Sequence, residues 1–221
     1  MKRMTRTLSI AFSAALLLAG SHVPAVTQQT AAIGSVNEVR SDAFGTPPGL
    51  ERRSLAVRSD VFASERIETG RDAWAQLSFL DATSFRVGGA STVVLDRFIY
   101  DPDKKAGELT IGVTQGVFRF VTGSMKPESY RIRTPSALIG VRGTDFVLAV
   151  APNGSLRLAV NSGAVEIIPI IGNRSIIVQP GNLGTVDATG TNADTQPVPD
   201  SAKGSAKKLI EWFDSEGALG P

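Results

Sequence analysis

The chain has 221 residues, with 23 Lys or Arg against 21 Asp or Glu, so its formal net charge is +2. It contains no Cys, which excludes disulfides, thiolate metal sites, a lipid-attached cysteine and Cys nucleophiles. With 42% hydrophobic residues, the chain can bury the core of one domain, with or without a tail.

The first 25 residues have the pattern of a secretory signal peptide. Three cations, Lys2, Arg3 and Arg6, precede a mostly apolar run over residues 8–19, and Val23-Pro24-Ala25 supplies small residues for cleavage. We therefore expect residues 1–25 to be removed after about Ala25. The mature protein is expected in the periplasm or outside the cell.

Removal of this segment excludes several classes of function. The net charge falls from +2 to −1, because residues 1–25 hold three cations and no acid, so overall charge does not favour a nucleic-acid partner. The one histidine, His22, is also lost, which excludes a Ser-His-Asp triad and an HExxH zinc site. No later segment approaches the roughly 18 consecutive apolar residues of a membrane span, so none is expected.

Residues 26–190 are predicted to form an all-β domain. Apolar and polar residues alternate with period two, and Gly, Pro, Asn and Asp interrupt the alternation at short intervals. One hairpin is predicted around Asp81-Ala82, and another joins the segments 146–150 and 156–160 through Asn153-Gly154. The predicted architecture is a β-solenoid-like fold or a rolled two-sheet antiparallel sandwich, with a short C-terminal helix.

Residues 191–221 are predicted to be a polar linker followed by a short amphipathic helix. The linker is rich in Thr, Asn, Asp, Pro and Gly, and Ser201 or Ser205 can cap the helix. Because so short a helix is marginal in water, it must dock on something. It either covers an open edge or end of the β domain, or inserts Trp212 and Phe213 into a groove of a partner.

Arginines on strand-like segments are the other candidates for partner binding. Arg131 and Arg133 fall two residues apart and must share one face of a strand. Such a face is either a solvated surface or a patch for an anionic partner. The full set of candidate partner-binding residues is Arg131, Arg133, Arg142, Arg157, Trp212 and Phe213.

No residues are assigned to catalysis, to a cofactor or to a metal. The acidic pairs show no arrangement around a single substrate bond, and Asp101-Pro102-Asp103 is predicted to be a turn. Ser and Thr are abundant but have no base to activate them. The glycine-containing run 140–144 lacks the Lys of a phosphate-binding loop.

Five runs in the middle of the chain resemble the FecR domain family, and the resemblance extends over about residues 60 to 165. They are Arg66–Gly70, Ala75–Thr83, Val94–Pro102, Gly116–Gly123 and, most specifically, Thr134-Pro135-Ser136-Ala137-Leu138-Ile139-Gly140-Val141-Arg142-Gly143-Thr144. Ala82 departs from the family, which commonly has Gly after the Asp.

The resemblance implies an extracytoplasmic β-rich domain that takes part in recognition. The namesake carries a receptor's signal to a cytoplasmic sigma factor during ferric-siderophore uptake, through a cytoplasmic domain and a membrane helix for which this chain shows no counterpart. We therefore expect an exported, non-enzymatic recognition or sensor module without direct sigma-factor contact, and without a cofactor. Its partner would be an envelope protein or a cell-surface polymer. The alternatives are a structural or polysaccharide-binding surface protein and, less favoured, a carbohydrate-active β-solenoid enzyme.

Overall fold

The structure is a computed structural model that describes residues 31–215, apart from the side chain of Asp214. The predicted signal peptide therefore lies outside the described residues. The strands are β1 (Ala32–Arg40), β2 (Ala43–Thr46), β3 (Arg53–Ser54), β4 (Asp60–Phe62), β5 (Arg66–Thr69), β6 (Trp74–Phe79), β7 (Ser84–Val87), β8 (Thr92–Asp101), β9 (Ala106–Val121), β10 (Tyr130–Arg133), β11 (Ala137–Val150), β12 (Leu156–Pro169), β13 (Ile176–Val178), β14 (Asn182–Val186) and β15 (Ala193–Pro197). The helix α1 is Ala206–Ser215, and short 3-10 helices occupy Pro127–Ser129 and Asp200–Ala202.

The all-β prediction is confirmed, because the strands form one large sheet that is not closed into a barrel. Nearly all neighbouring strands are antiparallel, but β9 and β10 are parallel, so the sheet is mixed rather than antiparallel as predicted. The connection over residues 122–129 makes this pairing possible. It carries the chain from the end of β9 back to the first half of that strand, so that β10 runs in the same direction as β9.

Both predicted hairpins are present. β11 and β12 pair from Phe146 opposite Val160 to Val150 opposite Leu156, around a turn in which Gly154 has a φ of 89°. β6 and β7 pair around the Asp81-Ala82 turn. Alternation and turn chemistry therefore predicted the local pairing correctly.

The sheet folds over at its three longest strands, β9, β11 and β12. Each contains one glycine with positive φ near its middle: Gly116 (125°), Gly143 (64°) and Gly163 (78°). On either side of these glycines the strands have different neighbours. For example, the first half of β11 pairs with β10, whereas its second half pairs with β9. The bends thus divide one sheet into two layers.

The main core lies between the two layers. Phe79 of β6 stacks on Phe98 of β8 with ring centroids 5.7 Å apart, and Phe120 of β9 contacts Tyr130 of β10 at 5.8 Å. A single cluster of buried apolar side chains extends from Ile33 in β1 to Val186 in β14. The architecture corresponds to the rolled alternative of the two that were predicted.

A second core lies on the outer face of one layer, beneath α1. Val147 and Ala149 of β11 face outwards there and pack against Leu209 and Phe213 of the helix. The Lys208 N–H donates to the Oγ of Ser205 at 3.3 Å, as predicted for a helix cap. The helix therefore covers a face of the sheet. The prediction that it covers an open edge or end of the β domain is wrong in this respect. Over Phe146–Val150 the residues on both faces of β11 are apolar, so both faces require cover there.

The segment predicted as a polar linker contains the last strand. β15 pairs with β14 from Asn182 opposite Pro197 to Val186 opposite Ala193. An edge strand tolerates polar side chains and proline, because only one side of its backbone pairs. Val198 and Ala202 follow it into the second core. Among residues 31–215, no helix is long and apolar enough to cross a membrane.

Candidate functional site

Arg131 and Arg133 lie on the same exposed face of β10, as their spacing predicted. They alternate with Tyr130 and Ile132, which are almost fully buried in the main core. β10 lies between β9 and β11, so the two arginines project from the middle of a layer rather than from an edge. Arg142 of β11 projects nearby, and its side chain lines the same groove as Arg131.

Each of these arginines has an acidic neighbour that is distant in sequence. Arg133 donates to Asp96 at 2.6 Å and Arg142 donates to Glu166 at 3.0 Å. Arg131 lies 3.9 Å from Glu108. Because the arginine side chains are roughly half exposed, such pairs contribute little to stability. The ion pairs nevertheless balance the charge of this face. The face is therefore not the cationic patch that the arginines alone suggested.

A groove of about 520 Å³ crosses this face, and Gly140 forms part of its floor. Gly140 lies between Arg131 on β10 and Glu166 on β12, its two cross-strand neighbours. A Cβ atom at position 140 would approach only Glu166, at 3.8 Å, so the space above the glycine is open. The absence of a side chain at this one position leaves a gap between two charged side chains.

The groove has an apolar border that the sequence analysis missed. Leu138 of β11 pairs with Ile168 of β12, and both line the groove. Beyond them Ile170, Ile171 and Ile177 are 60%, 70% and 50% exposed. The signal was present as successive isoleucines at the end of β12, where strict alternation would place a polar residue on the outer face. The surface therefore combines paired charges with exposed aliphatic side chains.

The remaining predicted residues lie on the other layer. Arg157 of β12 places its guanidinium carbon 5.8 Å from the ring centroid of Trp212, and Trp212 contacts Phe213 at 5.0 Å. Phe213 is fully buried in the second core, so the prediction that it inserts into a partner is wrong. It lies on the same side of the amphipathic helix as Leu209, which faces the sheet. The six predicted residues thus belong to two separate surfaces.

Two acidic residues, Asp101 and Glu65, have structural partners. The Oδ1 of Asp101 accepts the N–H groups of Asp103 and Lys104, both at 3.1 Å, which confirms the predicted turn. Glu65 is buried, and burial raises its pKa, although the Phe62 N–H and Arg53 oppose the shift. Arg53 donates to Glu65 at 2.8 Å. Glu65 therefore has its ion-pair partner and a backbone donor inside the fold.

The fold and this surface define a two-layer all-β domain with an open, mixed groove on an outer face. Residues 65–166 match the family model described as FecR protein. The match includes every groove residue except Ile168. It confirms the family resemblance found in the sequence.

Two solved structures from Parabacteroides distasonis ATCC 8503, each described as a "putative anti-sigma factor", are similar to the chain. One shares 16% identity over 67% of this chain and 64% of its own, with a TM-score of 0.50. The other shares 15% identity over 62% and 61%, with a TM-score of 0.49. The chain thus spans less than two thirds of either, and the first similarity supports the fold alone. A comparison with curated proteins found no match.

Proposed function

We propose that the chain is an exported, non-enzymatic sensor or signalling module that recognises another envelope protein through the groove at Gly140. The observation that carries the proposal is the position of this groove within the FecR domain, between paired charges and an exposed aliphatic border. Protein interfaces combine apolar and polar side chains in this way. The ion pairs beside Gly140 can exchange partners on binding and so select for a complementary surface.

A protein partner fits this groove better than a polysaccharide does. Tyr130 is the one aromatic residue among the described lining residues and is 1% exposed, so that part of the chain offers no aromatic ring to stack on a sugar. The aliphatic border of Ile168, Ile170, Ile171 and Ile177 instead favours the apolar side chains of a protein. The family suggests a link to iron-uptake-type regulation, in which this module would act without direct sigma-factor contact.

The proposed binding site is tested by filling the groove with a side chain. Gly140→Thr adds a β-branched side chain at a strand position where a Cβ atom has room, so the fold should persist. The control Ala188→Thr adds similar bulk in an exposed turn. The mature wild-type chain and both variants are used to isolate partners from native envelope, and each recovered protein is then tested in purified form by calorimetry.

We expect the wild type and Ala188→Thr to bind the same envelope protein, and Gly140→Thr to lose it with an unchanged melting temperature. Equal binding by all three chains would refute the proposal that the partner binds in the groove. Recovery of a polymer rather than a protein would refute the assignment of the partner. Mass spectrometry of the exported protein checks the export step, for which we expect an N-terminus at Val26.

A further inference from the structure

A second groove lies where β1, β6 and β7 meet the helix α1, on the outer face of the other layer. Its volume is about 440 Å³. Arg40, Arg71 and Arg86 line it together with Trp74, and Ile210 of the helix also lines it. This groove shares no lining residue with the one at Gly140, so its chemistry can be considered separately.

The strand register brings the cationic and aromatic side chains together. Arg40 at the end of β1 lies directly opposite Trp74 at the start of β6. Arg86 of β7 pairs with Gln76, two residues along β6 from Trp74, and its guanidinium carbon lies 3.8 Å from the Trp74 ring centroid. Stacking on a ring fixes the plane of a guanidinium group.

Two cations of the groove have no acidic partner among the described residues, in contrast to the balanced face at Gly140. Arg40 and Arg71 form no ion pair within the described part of the chain, and Asp72 is the one acid among the described lining residues. Arg119 of β9 is instead neutralised by Asp145 through two hydrogen bonds of 2.9 Å. The charges of Arg40 and Arg71 are therefore available inside the groove.

We propose that this groove binds an acidic segment of a partner protein, whose Asp or Glu carboxylates contact Arg40 and Arg71. Guanidinium groups bind carboxylates through paired, charge-assisted hydrogen bonds. Gly88 and Gly89 also line the groove, at positions where the backbone carbonyls of Val117 and Arg71 lie too close to admit a side chain. The apolar side chain of Ile210 favours a peptide with apolar residues between its acids. An open groove suits a segment of a macromolecule better than a small molecule, which proteins usually enclose.

The experiment uses the full mature chain and a labelled peptide in which Asp and Leu alternate, with fluorescence anisotropy as the readout. Arg40→Gln/Arg71→Gln removes the two proposed contacts. The control Arg58→Gln/Arg174→Gln removes the same charge at two exposed arginines outside the groove. Melting temperatures verify that all the chains are folded, and a peptide with Asn in place of Asp measures binding without carboxylates.

We expect Arg40→Gln/Arg71→Gln to bind the Asp peptide about tenfold more weakly or worse, because charge-assisted hydrogen bonds are lost. The control variant should bind as the wild type does, and Gly140→Thr should also leave this binding unchanged. If both arginine variants bound the Asp peptide equally weakly, or if the wild type bound the Asn peptide as tightly as the Asp peptide, the proposed binding site would be overturned. Tighter binding of polygalacturonate or inorganic phosphate through the same arginines would overturn the choice of a peptide ligand.

Discussion

Asp81 connects the two layers of the sheet through its carboxylate. It is 1% exposed, and its oxygens accept hydrogen bonds from the Thr83 N–H at 3.0 Å, the Thr83 hydroxyl at 2.7 Å and the Tyr130 hydroxyl at 2.8 Å. The Met125 N–H in turn donates to the Tyr130 oxygen at 3.0 Å. The Asp81-Ala82-Thr83 run that resembles the FecR family is therefore a structural element, which fixes the β6–β7 turn against β10.

Tyr130→Phe tests this network through its pH dependence. Burial, together with the bond to the Asp81 carboxylate, raises the pKa of Tyr130 from 10.0 to about 12. Between these values the folded protein retains a proton that the unfolded chain releases, so stability falls as pH rises through this window. Tyr130→Phe should lack this alkaline loss, while being less stable at neutral pH by about 1–3 kcal/mol because Asp81 and the Met125 N–H lose a partner.

Urea unfolding on both sides of pH 10 measures the difference. Tyr100→Phe is the matched control, since it removes a hydroxyl whose one hydrogen bond among the described residues is to Ser124 near the surface. That variant should keep the wild-type slope. The same alkaline slope in Tyr130→Phe and wild type would show that another group titrates.

Ala82 occupies a backbone conformation that favours glycine. Its φ is 66°, in the turn where the FecR family commonly has Gly. For a residue with a Cβ this region costs about 1–2 kcal/mol, whereas glycine adopts it freely. Ala82→Gly should therefore raise the free energy of unfolding by about 1 kcal/mol, after allowance for the greater entropy of unfolded glycine.

Chemical denaturation checks this gain against Ala188→Gly. Ala188 is equally exposed in the β14–β15 turn but is not among the residues with positive φ. The control should lose stability or remain unchanged. A gain at both positions would exclude backbone strain as the cause.

At the scale of elements, the bends of β11 and β12 differ in what surrounds them. A Cβ atom at Gly143 would approach only Pro127, at 3.8 Å, so Gly143→Ala should cost about 1–3 kcal/mol from the positive φ alone. A Cβ atom at Gly163 would overlap the carbonyl oxygen of Gly143, so Gly163→Ala should cost more. Gly140→Ala, in an extended strand with free space, is the control and should cost nothing. Thermal unfolding gives the ranking, and equal losses at 143 and 163 would contradict it.

The sequence predicted local pairing well and the layer organisation less well. Asn153-Gly154 defined a hairpin because turn chemistry and alternation act over a few residues. The bends at Gly116 and Gly163 lie within segments whose alternation continues on both sides, so no local pattern separated one layer from the other. The parallel pairing of β9 with β10 likewise could not be predicted. The connection between the two strands is long enough to allow parallel pairing, but its sequence does not require it.

For the whole molecule, the difference between local patterns and tertiary contacts also explains which parts of the candidate site could be predicted. The spacing of Arg131 and Arg133 was sufficient to place them on one face. Their acidic partners, Asp96 and Glu108, come from β8 and β9, so the balanced charge required the tertiary structure. The run Phe146–Val150 is continuously apolar, which indicates burial on both faces of a strand. That run was the available signal for the surface that α1 covers.

The helix α1 covers an apolar face of the sheet. Phe213 is fully buried against the outer face of β9 and β11, together with Leu209. Removing the helix by truncation after Ala202 should leave the two-layer core intact, because the main cluster contains no helix residue. It should expose Val147 and its neighbours, which form a contiguous apolar surface of the kind that causes association.

We therefore expect the truncated chain to keep its β-sheet circular dichroism, to bind a hydrophobic dye strongly and to self-associate in ultracentrifugation. Phe213→Ala should show the same dye binding with a smaller effect, since truncating a buried Phe costs up to about 3–5 kcal/mol but a terminal helix can detach locally instead. Lys208→Ala, on the exposed side of the helix, is the control and should bind no dye. A truncated chain that stays monomeric without binding dye would mean that α1 does not protect this face, and that the helix is free to serve a partner.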